Sequence, residues 1–594
     1  MNKQSKPETG AAQVEQPIPA GVNAPGFGSD VVAETLRALD IRYVALNPGA
    51  SYRGLHDSLV NYLGNEKPQM LLCLHEESAV AIAQGYAKVT GRAMGAIVHS
   101  NVGLMHASMA IFNAWCDRMP VIVLGATGPV DAVKRRPWID WIHTARDQGA
   151  LVRGYVKWDD QPASPGAARE ALLRAAMIAN AAPQGPVYVN LDAEMQEAKL
   201  AEPLPPIDVA RYRPRVSTAP DPEMVKEVAT SLRNAKSPVI LAGRASRSVE
   251  AWNARVALAE SVNAKVITDM KIGASFPTDH PLHVGSPGML LPDAEGLAVL
   301  AATDVILSLD WVDLGGTLKA AKADAFVVSA TLDHHIHNGW SMDHQGFAPV
   351  DLHISADADV VAIALAREVG AAAAVKPLAP SPRAIAKPSE EALTVEHLAY
   401  NLRQALGPRE VSLTHLPLSW NGAWWPLRHP LDYLGSDGGG GIGGGPGISV
   451  GAALALKGSG RIPVAICGDG DYLMGVTALW TAAHYRIPLL VVIANNRSFF
   501  NDELHQERVA RMRNRPVENR WIGQRISDPD IDLAAMARAQ GAQGFGPVQS
   551  ESELAAALKS AIAAVEGGDV AVVDVRVEPG YAPAMTAALT RKAD

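Results

Sequence analysis

Cysteine, aromatics and long apolar runs are all scarce in this chain. Its 594 residues include only three cysteines, Cys73, Cys116 and Cys467. No two form a CxxC pair, which removes the usual spacing of a zinc or dithiol motif. Each lies in an apolar stretch, so each reads as a buried free thiol of a reducing compartment. No apolar run approaches the ~18 residues of a membrane span. The first residues are polar and lack the apolar core of a secretory leader. The expectation is a cytoplasmic protein with no membrane partner. Charged residues are 19% of the chain and the net charge is -9. No block of one sign stands out, which leaves no surface for nucleic acid.

What the chain has in quantity is glycine and proline, 51 and 41 residues. Two proline-rich stretches, 201–222 and 376–390, favour exposed linkers, because proline removes backbone donors and fixes φ. They divide the chain into a flexible tail (1–27), a first domain (28–200), a linker (201–222), a central domain (223–372), a second linker (373–390), a third domain (391–585) and a tail (586–594). Each domain alternates short β-branched runs with amphipathic stretches. "PVILAG", "DVILSL" and "PLLVVIANN" are strands of the kind buried on both faces. Strand–helix–strand repetition implies parallel sheets with right-handed crossovers. The fold class is therefore α/β, with three doubly wound parallel-sheet domains. The outer two look related, without a clear internal sequence repeat.

"GDGDYLMGVTALWTAAHYRIPLLVVIANN", from Gly468 to Asn496, brackets one such unit with polar groups. Both clusters fall at strand ends, where open α/β sheets bind ligands. One helical crossover joins them. Asp469 offers a carboxylate and Asn496 an amide carbonyl, hard oxygen ligands that suit magnesium with phosphate oxygens as co-ligands. Gly468 and Gly470 let backbone N–H groups approach the phosphates. A rival reading takes Gly439, Gly441 and Gly444 as the GxGxxG of a dinucleotide site. No apolar strand leads into that run, which counts against it.

The GDG and NN pair resembles the signature of thiamine diphosphate (ThDP) enzymes. The resemblance implies Mg2+ held by Asp469, Asn496 and the backbone carbonyl of Ser498. "GGGGIGGGPGISVGAALAL" (438–456) resembles their preceding segment, which places Gly441 and Ile442 beneath the thiazolium ring. Relatives in the resembling family use the segment around Thr414 to touch the diphosphate, so the resemblance makes Thr414 a candidate cofactor contact. "HEESAVAIAQGYAKVTG" (75–91) resembles the pyrimidine-domain motif, and Glu76 is the residue matched to the cofactor-activating carboxylate. Simple helix capping by Glu76 and Glu77 is the plain alternative. The resemblance divides the outer domains into pyrimidine-binding and diphosphate-binding, and implies a homodimer at least, or a homotetramer, with sites shared between subunits.

"HS" at His99 and Ser100 resembles the benzoylformate decarboxylase branch more than the acetolactate synthases. "NPGAS" (47–51) resembles that branch's "NPGS", with Ala50 in place of the carboxylate-binding serine and Ser51 following. The implied reaction is decarboxylation of a 2-oxo acid through ylid and enamine intermediates, with His99 as acid/base. "VILSLDWVDLGG" (305–316) holds Asp310, Trp311 and Asp313 where that branch carries a second histidine. An acetolactate synthase-like carboligase or an acyloin or 2-hydroxyacyl lyase is therefore the alternative. A catalytically silent partner or scaffold is a third reading, opposed by the intact Glu76, Asp469 and Asn496. His415 is a candidate second acid/base. Trp424, Phe499 and Phe500 are candidate pocket residues, although Trp420, Trp424 and Trp425 suit a core equally well. The stretch after Asn496 reads as a lid helix. His334, His335, His337 and His344 match no zinc spacing and read as loop or pocket lining. FAD is not expected.

Overall fold

The computed structural model describes residues 15–21, 24–212, 218–335, 346–370, 387–388 and 392–581. Three sheets account for its sixteen strands. The first holds β1 (Tyr43–Leu46), β2 (Gln69–Leu72), β3 (Met94–Ile97), β4 (Val121–Thr127), β5 (Asp159–Asp160) and β6 (Val187–Asp192). The central sheet holds β7 (Pro238–Ala242), β8 (Lys265–Ile267), β9 (Val305–Leu309), β10 (Phe326–Ala330) and β11 (Leu352–Ile354). The third holds β12 (Val411–His415), β13 (Ile462–Gly468), β14 (Leu489–Asn495), β15 (Gln543–Val548) and β16 (Val570–Arg576). Their orders are β2-β1-β3-β4-β6-β5, β11-β10-β9-β7-β8 and β12-β13-β14-β16-β15. Neighbouring strands pair in parallel throughout. The expected fold class is the one observed. Parallel pairing buries both faces, which is why β4, β6 and β14 are buried at every residue.

Six helices place the site: α1 (Glu76–Thr90), α2 (Ser100–Cys116), α3 (Gly444–Leu456), α4 (Asp469–Gly475), α5 (Ala478–His484) and α6 (Phe500–Met512). Helix α1 starts where His75 Nδ1 accepts the Glu77 N–H, and ends at Gly91 with φ 65°. Helices α1 and α3 cross with their backbones nearly touching. A Cβ on Gly85 would lie 1.9 Å from the Ile448 carbonyl, and one on Gly451 would lie 1.9 Å from that of Ile82. The two outer domains accordingly share one apolar core, which runs from Leu71 and Ile82 to Ile448 and Cys467.

Three expectations need adjustment. The crossover between β13 and β14 is two helices, α4 and α5. Val476 and Thr477, two β-branched residues that are weak helix formers, separate the two directly after the glycine that ends α4. Cys73 and Cys467 are buried, but Cys116, at the end of α2, is only half-buried. Glu15, in the segment read as a loose tail, accepts a hydrogen bond of 2.7 Å from the Tyr485 hydroxyl and lies 3.2 Å from His484. Residues 1–14 and 336–345, with His337 and His344, lie outside the described residues, as does most of the second linker. Among the described residues no helix is long and apolar enough to cross a membrane.

Candidate active site

Strand β13 ends at Gly468, and Asp469 opens α4 directly beyond it. Asp469 is 3% exposed, and its Oδ2 has no hydrogen-bond partner. Burial pushes its carboxyl up to about 6, although the N–H groups of Gly470, Arg497 and Ser498 oppose that rise. A buried carboxylate oxygen with no counter-charge fits a cation. Strand β14 delivers Asn495 and Asn496 to the same sheet edge. Asn495 donates to Asp574, whereas Asn496 Oδ1 accepts the Ser498 N–H at 2.9 Å and keeps a second lone pair. A Cβ at Gly468 would meet nothing within 4 Å. Open space beside glycine backbone suits an anionic ligand, so Asp469, Asn496 and the 468–470 backbone fit a divalent cation carrying a diphosphate.

The glycine loop lies beside this edge. Asp471 Oδ1 accepts the N–H groups of Gly443 (2.7 Å) and Gly445 (3.3 Å), while its Oδ2 lies 3.2 Å from His415 Nε2. Burial disfavours both charges, but each stabilises the other: the His415 imidazole is held above its usual range and Asp471 below its own. Asp471 thus faces away from any phosphate and fixes the loop that presents Ile442, which is 45% exposed. Gly441 rests against Met109, and Asn113 of α2 holds the Gly441 backbone through two contacts of 3.4 Å. Dinucleotide binding gains nothing here, since no strand feeds the loop.

Glu76 opens α1 and is 7% exposed. Gly103 permits the close approach of α2, since a Cβ there would lie 3.0 Å from Glu76 Oε1. His106 Nδ1 lies 3.1 Å from Glu76 Oε2, and its ring stacks on His75 at 5.2 Å. Two turns further along α2 are the contacts to Gly441, so one helix touches both the carboxylate and the glycine loop.

His99, just past β3, packs its ring on Gly49. Ser51 Oγ is 2.8 Å from His99 Nδ1 and accepts the Ser100 N–H at 3.2 Å. The Ser51 N–H also lies 3.5 Å from Nδ1, so Nδ1 is the nitrogen held by Ser51 and Nε2 is the one left for a reacting group. Burial, the neighbouring His143 ring and Arg136 lower the His99 pKa, against the pull of Glu76. Ala50 is exposed beside this group.

Other candidates are placed elsewhere. Thr414 is wholly buried and donates to Ser449 Oγ and the Val464 carbonyl, so its hydroxyl ties β12 to α3 and does not face an opening. His415 is likewise 7% exposed and is taken up by Asp471. Trp424 joins Trp420 and Trp425 on the core of the third domain, the packing role, because their rings meet at 5.7 and 6.5 Å. Phe499 lies against Gly470, but Phe500 stacks on Tyr581 at 5.7 Å. Asp310 is bonded to Thr331 and paired with Arg244. His334 meets His353 at 3.2 Å on the surface of the central domain. Sequence reasoning missed Asp471, Asn113, His106 and His143. Only Asp471 was signalled locally, by a second acid directly after GDG.

Comparison with known proteins supplies the frame. Residues 27–151 match the thiamine pyrophosphate enzyme N-terminal TPP binding domain, 225–362 the central domain, and 418–575 the C-terminal TPP binding domain. A benzoylformate decarboxylase of Pseudomonas aeruginosa is 26% identical over 531 residues, covering 86% of this chain and 92% of that protein. An acetolactate synthase large subunit of Corynebacterium glutamicum is 27% identical over 519 residues, covering 82% and 78%. Among solved structures, a thiamine diphosphate-dependent 4-hydroxybenzoylformate decarboxylase of Rhodococcus jostii shares the fold, with a TM-score of 0.75 at 24% identity, covering 94% of this chain and all of that one. A benzoylformate decarboxylase of Polynucleobacter necessarius does so with a TM-score of 0.77 at 21% identity over the same shares. With all three domains matched in order and a carboxylate-and-glycine site at the expected strand ends, the chain belongs to the thiamine diphosphate-binding enzyme superfamily.

Proposed function

We propose that this protein is a ThDP- and Mg2+-dependent enzyme that cleaves a 2-oxo acid beside its carbonyl, releasing CO2. The observation that supports this reading is His99, a half-buried imidazole whose Nδ1 is held by Ser51 and which lies within electrostatic reach of Glu76. When bound, ThDP supplies the nucleophilic carbon and the electron sink of such reactions. The chain's own residues do the rest. Asp469, Asn496 and the Ser498 carbonyl would hold the cation. Asp471 fixes the glycine loop, so that Ile442 would support the cofactor. Glu76, with His106 beside it, would hydrogen-bond the pyrimidine nitrogen. His99 Nε2 delivers a proton to the substrate's former carbonyl carbon. The relatives named for benzoylformate decarboxylation put aryl 2-oxo acids first in a substrate panel.

Carboligation or acyloin cleavage is the second reading. Ala50 offers no hydroxyl to a substrate carboxylate, and Asp310 stands where a second histidine was expected. Incubating the holoenzyme with a panel of 2-oxo acids and acyloins decides between them. Steady CO2 release from benzoylformate with aldehyde product supports decarboxylation. Acyloin formation or cleavage without it transfers the assignment to the second reading.

The assembly follows from exposure. Leu74, Val102 and Met105 surround Glu76 at 45%, 38% and 53% exposed, and Ile442 and Met474 stand 45% and 60% exposed beside the glycine loop. Covering both patches calls for at least a homodimer, and a homotetramer if dimers pair further. Mixing Glu76→Gln with Asp469→Ala subunits tests where the sites form. Regained activity places each site between subunits, and no regain places it within one chain.

A further inference from the structure

We propose that His143 is the proton-exchange partner of His99, so that substrate protonation runs through a histidine pair built wholly within the N-terminal domain. The inference rests on the decarboxylase reading above. The two rings meet edge to face at 4.7 Å between centroids, with planes at 68°. His143 follows the short helix Ile139–Ile142, in a segment pinned at two points. The Gly128 N–H donates to the His143 carbonyl at 3.2 Å, and Asn101 Nδ2 of α2 donates to the Ile142 carbonyl at 3.2 Å. His143 is half-buried, as is His99.

The groups that bear on His99 are few. Ser51 occupies Nδ1, which leaves Nε2 as the working atom. Glu76 favours the imidazolium, while His143 and Arg136 disfavour it. Arg136 is fixed by Asp140, which accepts its Nη2 at 2.8 Å and its backbone N–H at 2.7 Å. A proton on His99 is therefore disfavoured by the His143 ring beside it and returns readily to a neighbour. This arrangement suits turnover. The C–C bond to the carboxylate breaks, CO2 leaves, and the electron pair stays with the substrate fragment. A C–H bond forms with the Nε2 proton of the His99 imidazolium, whose Nδ1–H is held by Ser51 Oγ, and a neutral imidazole remains. The half-buried His143 restores that proton from water. His143 acts through His99 and is a positioning and exchange residue.

The test uses the holoenzyme with ThDP and Mg2+, benzoylformate as probe, and the variants His143→Gln and His143→Ala. Losing a positioned acid/base partner is expected to lower kcat by at least about tenfold and to shift its pH profile, while ThDP affinity and the exchange of its C2 proton stay unchanged. Added imidazole is expected to restore part of the rate to His143→Ala. In NMR titrations the His99 midpoint is expected to rise once the neighbouring cation is removed. An unchanged pH profile and kcat, or an unmoved His99 midpoint, overturns the pair. Should the unsubstituted enzyme release no CO2 from any 2-oxo acid, the decarboxylase reading fails and the relay with it. The His99 titration still shows, separately, whether the rings are coupled.

Discussion

Setting aside the edge strand β2, the first sheet runs β1-β3-β4-β6-β5 and the third β12-β13-β14-β16-β15, so β3 and β13 occupy the same place. Beyond β3 the chain sets His99, and beyond β13 it sets Asp469. The neighbouring helices α1 and α3 correspond as well. The chain offset that carries Ile82 to Ile448 and Gly85 to Gly451, the contacts at the crossing, carries Glu76 to Ile442. Equivalent scaffold positions thus hold an acid in one domain and an exposed apolar residue in the other, an imidazole in one and a buried carboxylate in the other. Parallel sheets bind at strand ends whatever the ligand, and the residues placed there divide the labour.

The sharpest break in this correspondence is expected from Glu76→Gln. Exchange of the C2 proton of bound ThDP, followed by NMR, is expected to slow by about 10²–10⁴, with cofactor affinity kept. An unchanged rate would remove Glu76 from activation. Asp469→Asn, its counterpart at the other pole, is expected to weaken Mg2+-dependent ThDP binding by about a hundredfold in calorimetry. For the unsubstituted protein the raised carboxyl gives a sign. With the carboxyl raised to about 6, cation affinity is expected to be flat above pH ~7 and to fall as the carboxylate protonates, to about tenfold weaker at pH 5. A flat profile down to pH 5 would contradict the buried, counter-charge-free state of Asp469.

The crossing itself is tested by Gly451→Val. Its side chain would enter the Ile82 carbonyl, which is expected to cost about 2 kcal/mol in urea unfolding. The smallest effect is expected from Asp471→Asn. It keeps the shape but loses the charge opposite His415, and is expected to reduce ThDP affinity by about fivefold, or ~1 kcal/mol. Unaltered affinity would mean that the glycine loop holds itself.

Much of this was legible because it is local. Runs such as "PLLVVIANN" declare buried strands, and GDG and NN stand at fixed positions relative to them. Glu76 was legible as an acid at a helix start after an apolar run. Three features were not. "PWIDWIHTARDQ" has no period that reveals where His143 faces, since its placement comes from tertiary hydrogen bonds to Gly128 and Asn101. Asp471 might as readily have been aimed at a phosphate by its place in the motif; the pull of buried His415 turns it away. Thr414 and Trp424 carry side chains that serve core and pocket alike, and only packing chooses between the two. The kinship of the outer domains was visible in their strand rhythm, although its residues do not repeat.

The reciprocal glycine contact has a wider meaning. Helices that meet through the same two positions, each against the other's carbonyl, are related by a local two-fold axis. The chain carries, folded into itself, the kind of contact by which two identical proteins pair. Such an axis ties the helix that begins at Glu76 to the one that follows Ile442, so strain put in at either glycine is felt at both strand-end clusters.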